Sequence, residues 1–149
     1  MVPDATPIEI LLVEDNPGDV RLAEEALNNR NVASHIHVAV DGEEAISFLR
    51  REDRYSDAPP PDLILLDLNL PKKDGREVLA EIKADDALQH IPVVVLTTSR
   101  SDEDIRTAYH LSANCYIAKP VDFDEFINVV KSIEDFWLSV VTLPPKVMR

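Results

Sequence analysis

The chain has 149 residues, 45% of them hydrophobic, which suits one domain with a core of its own. Its 28 acidic against 15 basic residues give a net charge of −13, a balance that repels phosphate backbones and anionic lipid surfaces, so neither nucleic acid nor a membrane is expected as a partner. The single cysteine, Cys115, excludes an internal disulfide and disfavours a thiolate metal centre; the opening MVPDATP lacks a secretory pattern and no apolar run spans a bilayer, so a cytoplasmic location is expected.

Short apolar runs alternate with longer helical patterns. The first strand is predicted at Ile8–Val13, and its ILLV run is apolar at every position, as burial on both faces requires. Val20, Ala23 and Leu27 then recur at helical spacing after Pro17, with Asp15 as a prospective cap. In residues 36–40, Ile36, Val38 and Val40 alternate with polar or small neighbours, the pattern of an edge strand with one wetter face. Ala45 and Leu49 mark a second helix after Gly42, and residues 50–62 read as a polar, Pro-rich surface loop. A third strand at Leu63–Leu66 precedes a helix carrying Val78 and Ile82 after Gly75. A fourth at Val93–Thr97 precedes a helix opened by Ser101 and Asp104, which have capping-box spacing. The fifth strand covers residues 115–117, and a last helix runs over residues 122–141, ending before Pro144. The predicted domain is residues 8–141, with tails at 1–7 and 142–149. Five strands alternating with five helices imply an α/β fold, a parallel sheet covered on both faces.

In such sheets ligands sit beyond the carboxyl ends of the strands. Those ends carry Glu14 and Asp15, then Asp67, then Thr97, and shortly after the fifth strand Lys119 and Pro120. Each acid alone reads as a solvated helix cap. Together the carboxylates repel unless a cation joins them, and hard oxygen ligands of this kind suit Mg²⁺.

The segments LLVEDN (residues 11–16), LILLDLNLPKKDG (63–75), VVVLTT (93–98) and CYIAKP (115–120) resemble the receiver domains of two-component response regulators. The spacing from Asp67 to Thr97 and to Lys119 is typical of that family, and LPKKDGREVLAEIK and FWLSVVTLP are similar to the small cyanobacterial phytochrome response regulators. The resemblance implies a flavodoxin-like, doubly wound sheet of order 2-1-3-4-5. It implies transfer of a phosphoryl group from a sensor histidine kinase, a phytochrome in the narrower group, to Asp67. Asp15 and Asp67 would ligate Mg²⁺ directly, Glu14 through a water, and Asn69 by its backbone carbonyl. Lys119 and Thr97 would engage the phosphoryl oxygens, Tyr116 would switch with Thr97, and Pro120 would follow a cis peptide bond that aims Lys119. Gly75 would serve a special backbone conformation. A protein of this kind is a phosphoacceptor rather than an enzyme turning over a substrate. With about ten residues after the receiver, its output would be contact with an unidentified downstream protein.

Two other classes fit parts of the pattern: a receiver-like module that takes no phosphate, and a small phosphohydrolase, which lacks its second acid where Asn69 stands. His35 and His37 share a strand face, but no third ligand at a recognised spacing supports zinc. His90 and His110 are expected in solvent, and Cys115 as a small packed hydrophobe. The last helix carries more than one apolar stripe, through Phe126, Val130, Ile133, Phe136, Trp137 and Val140. The surplus implies a homodimer through the fourth helix, fifth strand and fifth helix, unless the C-terminal tail folds back over it.

Overall fold

The structure, a computed structural model, describes residues 7–27 and 33–145. The apolar runs form strands β1 (Ile8–Val13), β3 (Leu63–Leu66) and β4 (Val93–Thr97), flanked by β2 (Ser34–Ala39) and β5 (Cys115–Ala118). All pairings are parallel, in the order β2-β1-β3-β4-β5. The crossovers are helices α1 (Pro17–Ala26), α2 (Gly42–Arg50), α3 (Gly75–Ala84) and α4 (Asp102–His110), with α5 (Phe123–Glu134) last.

Strand side chains alternate faces, so one continuous apolar run feeds two cores. Leu11, Val13, Ile64, Leu66, Val93 and Val95 meet α2, α3 and Ala108 of α4. Ile10, Leu12, Leu63, Leu65, Val94 and Leu96 meet α1 and the Phe126, Val130 and Ile133 stripe of α5. This double cover is why the central strands could not alternate in polarity. At the β2 edge Ile36 and Val38 are half-buried, while Val40 lies just past the strand and is exposed.

Helix starts follow local hydrogen-bond chemistry. Asn16, not Asp15, caps α1, accepting from the Asp19 N–H at 3.0 Å, because its short amide sits at the non-helical residue just before Pro17. That leaves the Asp15 carboxylate to the rim. Ser101 caps α4, but the Asp104 carboxylate turns to Arg76 and Ser99, so the reciprocal half of the expected box is missing. A full capping box opens α3 instead, with Asp74 and Glu77.

Two expectations need correction. Gly75 has no positive φ; its requirement is space, since an added Cβ would lie 2.2 Å from the Asp67 carbonyl oxygen and 2.5 Å from Leu68 Cα. The last helix does not run regularly to residue 141: α5 ends at Glu134 and widens into a π-helical turn, Asp135–Val140, that leaves Phe136 and Val140 exposed. Most of the expected tails, residues 1–6 and 146–149, lies outside the described residues. Among those described, no helix is long and apolar enough to cross a membrane.

Candidate functional site

Because all five strands point the same way, their carboxyl ends deliver side chains to one rim. Glu14 and Asp15 follow β1, Asp67 follows β3, Thr97 ends β4 and Lys119 follows β5. One ligand atom each from Glu14, Asp15 and Asp67 lies within 4.8 Å of the others. Glu14 and Asp67 are buried and Asp15 faces solvent, so the cluster has a dry floor and an open side.

Lys119 closes the group. Its side chain is 4% exposed, and its ammonium donates to Glu14 Oε1, to Asp19 Oδ2 at 3.0 Å and to Asp67 Oδ2 at 3.1 Å. Burial alone would lower the Lys119 pKa, but the Glu14 hydrogen bond and charge, with Asp67 and Asp19, hold it above the usual lysine value. Burial pushes the Glu14 carboxyl up to about 7, opposed by the hydrogen bond and charge of Lys119.

Backbone amides fix the acids. Asn69 N–H donates to Asp67 Oδ1 at 3.1 Å, and Asn16 N–H to Glu14 Oε2 at 3.1 Å. The Thr97 hydroxyl is fully buried and has no hydrogen-bond partner among the described residues. A buried hydroxyl without a partner is costly, and it fits a rim built to accept an oxyanion. The carboxylate trio supplies the hard oxygens a divalent cation needs, so the residues present fit such an ion.

The Lys119–Pro120 bond is trans, since no cis peptide occurs among the described residues; this corrects the expectation for Pro120. What aims Lys119 is its N–H bond to the Thr97 carbonyl at 2.7 Å and the three carboxylates at its tip. Tyr116 is half-buried on β5 and its hydroxyl donates to the Ser99 carbonyl at 2.9 Å. The same loop is tied to α3 and α4: Ser99 Oγ donates to Asp104 at 2.5 Å, and Arg76 pairs with that Asp104 at 2.6 Å.

Sequence reasoning missed Asp19 and the Arg76–Asp104 pair. Asp19 had one signal, an acid in the first turn of the helix that leaves the rim; Arg76 and Asp104, on different helices, had none. The two strand histidines do gain a third neighbour, Glu9, whose carboxylate meets His37 at 2.8 Å and His35 at 3.2 Å. The only three ligand groups that converge closely among the described residues are nevertheless Glu14, Asp15 and Asp67. His110 is exposed as expected, whereas His90 is half-buried; Cys115 is half-buried against the α5 core.

This chain belongs to the response regulator receiver domain family, whose pattern it matches over residues 10–131. Among its relatives, response regulator Rcp1 of Synechocystis sp. is 49% identical over 138 residues, which cover 93% of this chain and 94% of that protein. A crystal structure of the phosphorylated cyanobacterial phytochrome response regulator RcpA is 54% identical, with a TM-score of 0.92 over 94% of this chain and all of that one. The Mn²⁺-bound form of response regulator Rcp1 aligns at a TM-score of 0.91 over 93% of this chain and all of that one, with 49% identity.

Proposed function

We propose that this response regulator accepts a phosphoryl group on Asp67 from a phosphohistidine of a sensor histidine kinase, a phytochrome, with Mg²⁺ as the ion. An Asp67 carboxylate oxygen attacks phosphorus in line, the P–N bond to the kinase imidazole breaks, and the imidazole leaves with its electron pair. The observation that carries this reading is Lys119, a buried ammonium 3.1 Å from Asp67 with Thr97 at the neighbouring strand end. Lys119 and the Thr97 hydroxyl would take the phosphoryl oxygens. Asp15, Asp67 and the Asn69 backbone carbonyl would hold the ion directly and Glu14 at one remove; the ion supplies charge neutralisation on the phosphoryl oxygens. Residues 8–141 form the receiver, and the kinase partnership places it in the cytoplasm.

Drawing Thr97 toward phosphate shifts the segment that follows it, and the Tyr116–Ser99 hydrogen bond then has to break. Signalling leaves through that face, made of α4, β5 and α5, toward a downstream protein or a second copy of the chain. A groove of about 300 Å³ lined by Cys115, Ile117, Val129, Ile133, Phe136 and Trp137 supports the homodimer. Sedimentation at high concentration is expected to give a dimer; a strict monomer with and without phosphate would overturn that part.

The reading itself is tested by intact mass after incubation with a small-molecule phosphodonor and Mg²⁺. The unaltered chain is expected to gain one phosphoryl group, and to gain none after chelation or as Asp67→Asn. A folded chain that gains no mass would sink it.

A further inference from the structure

We infer that Asp19 is a positioning residue for Lys119, the one carboxylate that stays with the ammonium while the metal and the phosphoryl group engage the others. The inference rests on the phosphoacceptor reading above. An ammonium has three N–H donors and no acceptor. Here all three are taken, by Glu14, Asp67 and Asp19. Their fates differ during transfer. The Asp67 carboxylate becomes an acyl phosphate, and Glu14 belongs to the trio whose ligand atoms converge for a cation. Asp19 lies outside that trio, so neither the metal nor the phosphoryl group removes it.

Its placement suits an anchor. Asp19 sits in the first turn of α1, and its backbone N–H donates to Asn16 Oδ1 at 3.0 Å. Asn16 in turn gives its own N–H to Glu14 at 3.1 Å, so one residue fixes two of the three partners of the ammonium. Val20, next to Asp19, packs against the core in which Ala23 and Ala26 of the same helix are buried, which holds α1 against the sheet. Lys119, by contrast, reaches the rim on a flexible four-carbon stem from a loop. Without Asp19, once Glu14 and Asp67 are engaged elsewhere, the backbone bond to Thr97 still fixes the start of the Lys119 side chain, but no carboxylate holds the ammonium at its tip. A misplacement of about 1 Å at a group that neutralises the transferring phosphoryl can cost orders of magnitude in rate.

The test compares the unaltered chain with Asp19→Asn and Asp19→Glu. Intact-mass time courses are taken over a range of phosphodonor and Mg²⁺ concentrations, and circular dichroism checks the fold. Asp19→Asn is expected to lower the maximal phosphorylation rate about tenfold while the half-saturating donor and Mg²⁺ concentrations move less than about twofold. Asp19→Glu, which keeps the charge on a longer arm, is expected to recover most of the rate. An Asp19→Asn rate that is unchanged or faster overturns the inference, because the residue would then act only as a negative charge facing an anion. A rise in half-saturating Mg²⁺ as large as the fall in rate also overturns it, by making Asp19 a metal ligand. An unaltered chain that takes up no phosphoryl group overturns the phosphoacceptor reading, and this inference with it.

Discussion

Lys119→Met lowers the stability of the metal-free protein by about 3 kcal/mol at pH 8, because removing one partner strands buried charge. Methionine fills similar volume, so the loss is electrostatic rather than a cavity. Glu14 and Asp67 are both buried, and Lys119 is the cation that touches both. The pH dependence follows from Glu14. Burial lifts its pKa from 4.5 to about 7, so the folded state holds a proton that the unfolded chain has released. A group raised on folding contributes stability at low pH and loses it as pH rises, here through the window from about 4.5 to about 7. Without the ammonium that opposes burial, the loss deepens and extends upward. The gap between variant and parent is therefore expected to be smaller near pH 5, where Glu14 carries its proton, than at pH 8, and millimolar divalent cation is expected to narrow it. Urea unfolding at both pH values, with chelator and with cation, reads this. A gap of equal size at both would show that Glu14 is not the acid whose charge Lys119 balances.

Gly75→Ala is expected to cost about 3 kcal/mol, at the upper end of overpacking effects, and to slow phosphoryl uptake by Asp67 severely. The added methyl would sit 2.2 Å from the Asp67 carbonyl and 2.9 Å from the Leu68 carbonyl, with Leu68 Cα between them. These are backbone atoms, so no side-chain rotation relieves the clash. The Gly75 N–H also donates to the Leu68 carbonyl at 2.9 Å, which pins the start of α3 against the segment leaving β3. Relief has to move either α3 or the segment that carries Asp67, and Leu68 is fully buried. Unfolding midpoint and intact-mass uptake together check this. A variant with normal stability and normal uptake would mean that the contact relaxes freely.

The two cores have a similar origin in crowding. Leu63–Leu66 and residues 93–96 are apolar on both sides of the pleat because helices cover both, and that continuous pattern is visible in one dimension. The rim acids were legible for a related reason: each stands at the end of a strand, and parallel strands finish on one side. Asp67, Glu14, Asp15, Thr97 and Lys119 could be gathered by counting strand ends.

What the chain order could not show is which of several nearby polar groups takes which partner. Asn16 rather than Asp15 caps α1, a choice between adjacent residues settled by the Asp19 N–H within reach of the amide oxygen. Asp104 leaves its own helix start for Arg76 on α3, a pairing across 28 residues that no local spacing announces. Asp19 meets Lys119 across 100 residues of chain. Gly75 shows the same division: a structural role was expected of it, but a crowded carbonyl rather than a special backbone conformation decides it. Hydrophobic periodicity and strand ends are properties of the chain itself, repeated over many residues and so robust to detail. Caps, cross-helix ion pairs and close backbone approaches depend on single distances of a few ångströms between segments remote in sequence, and those distances exist only once the sheet and helices have packed.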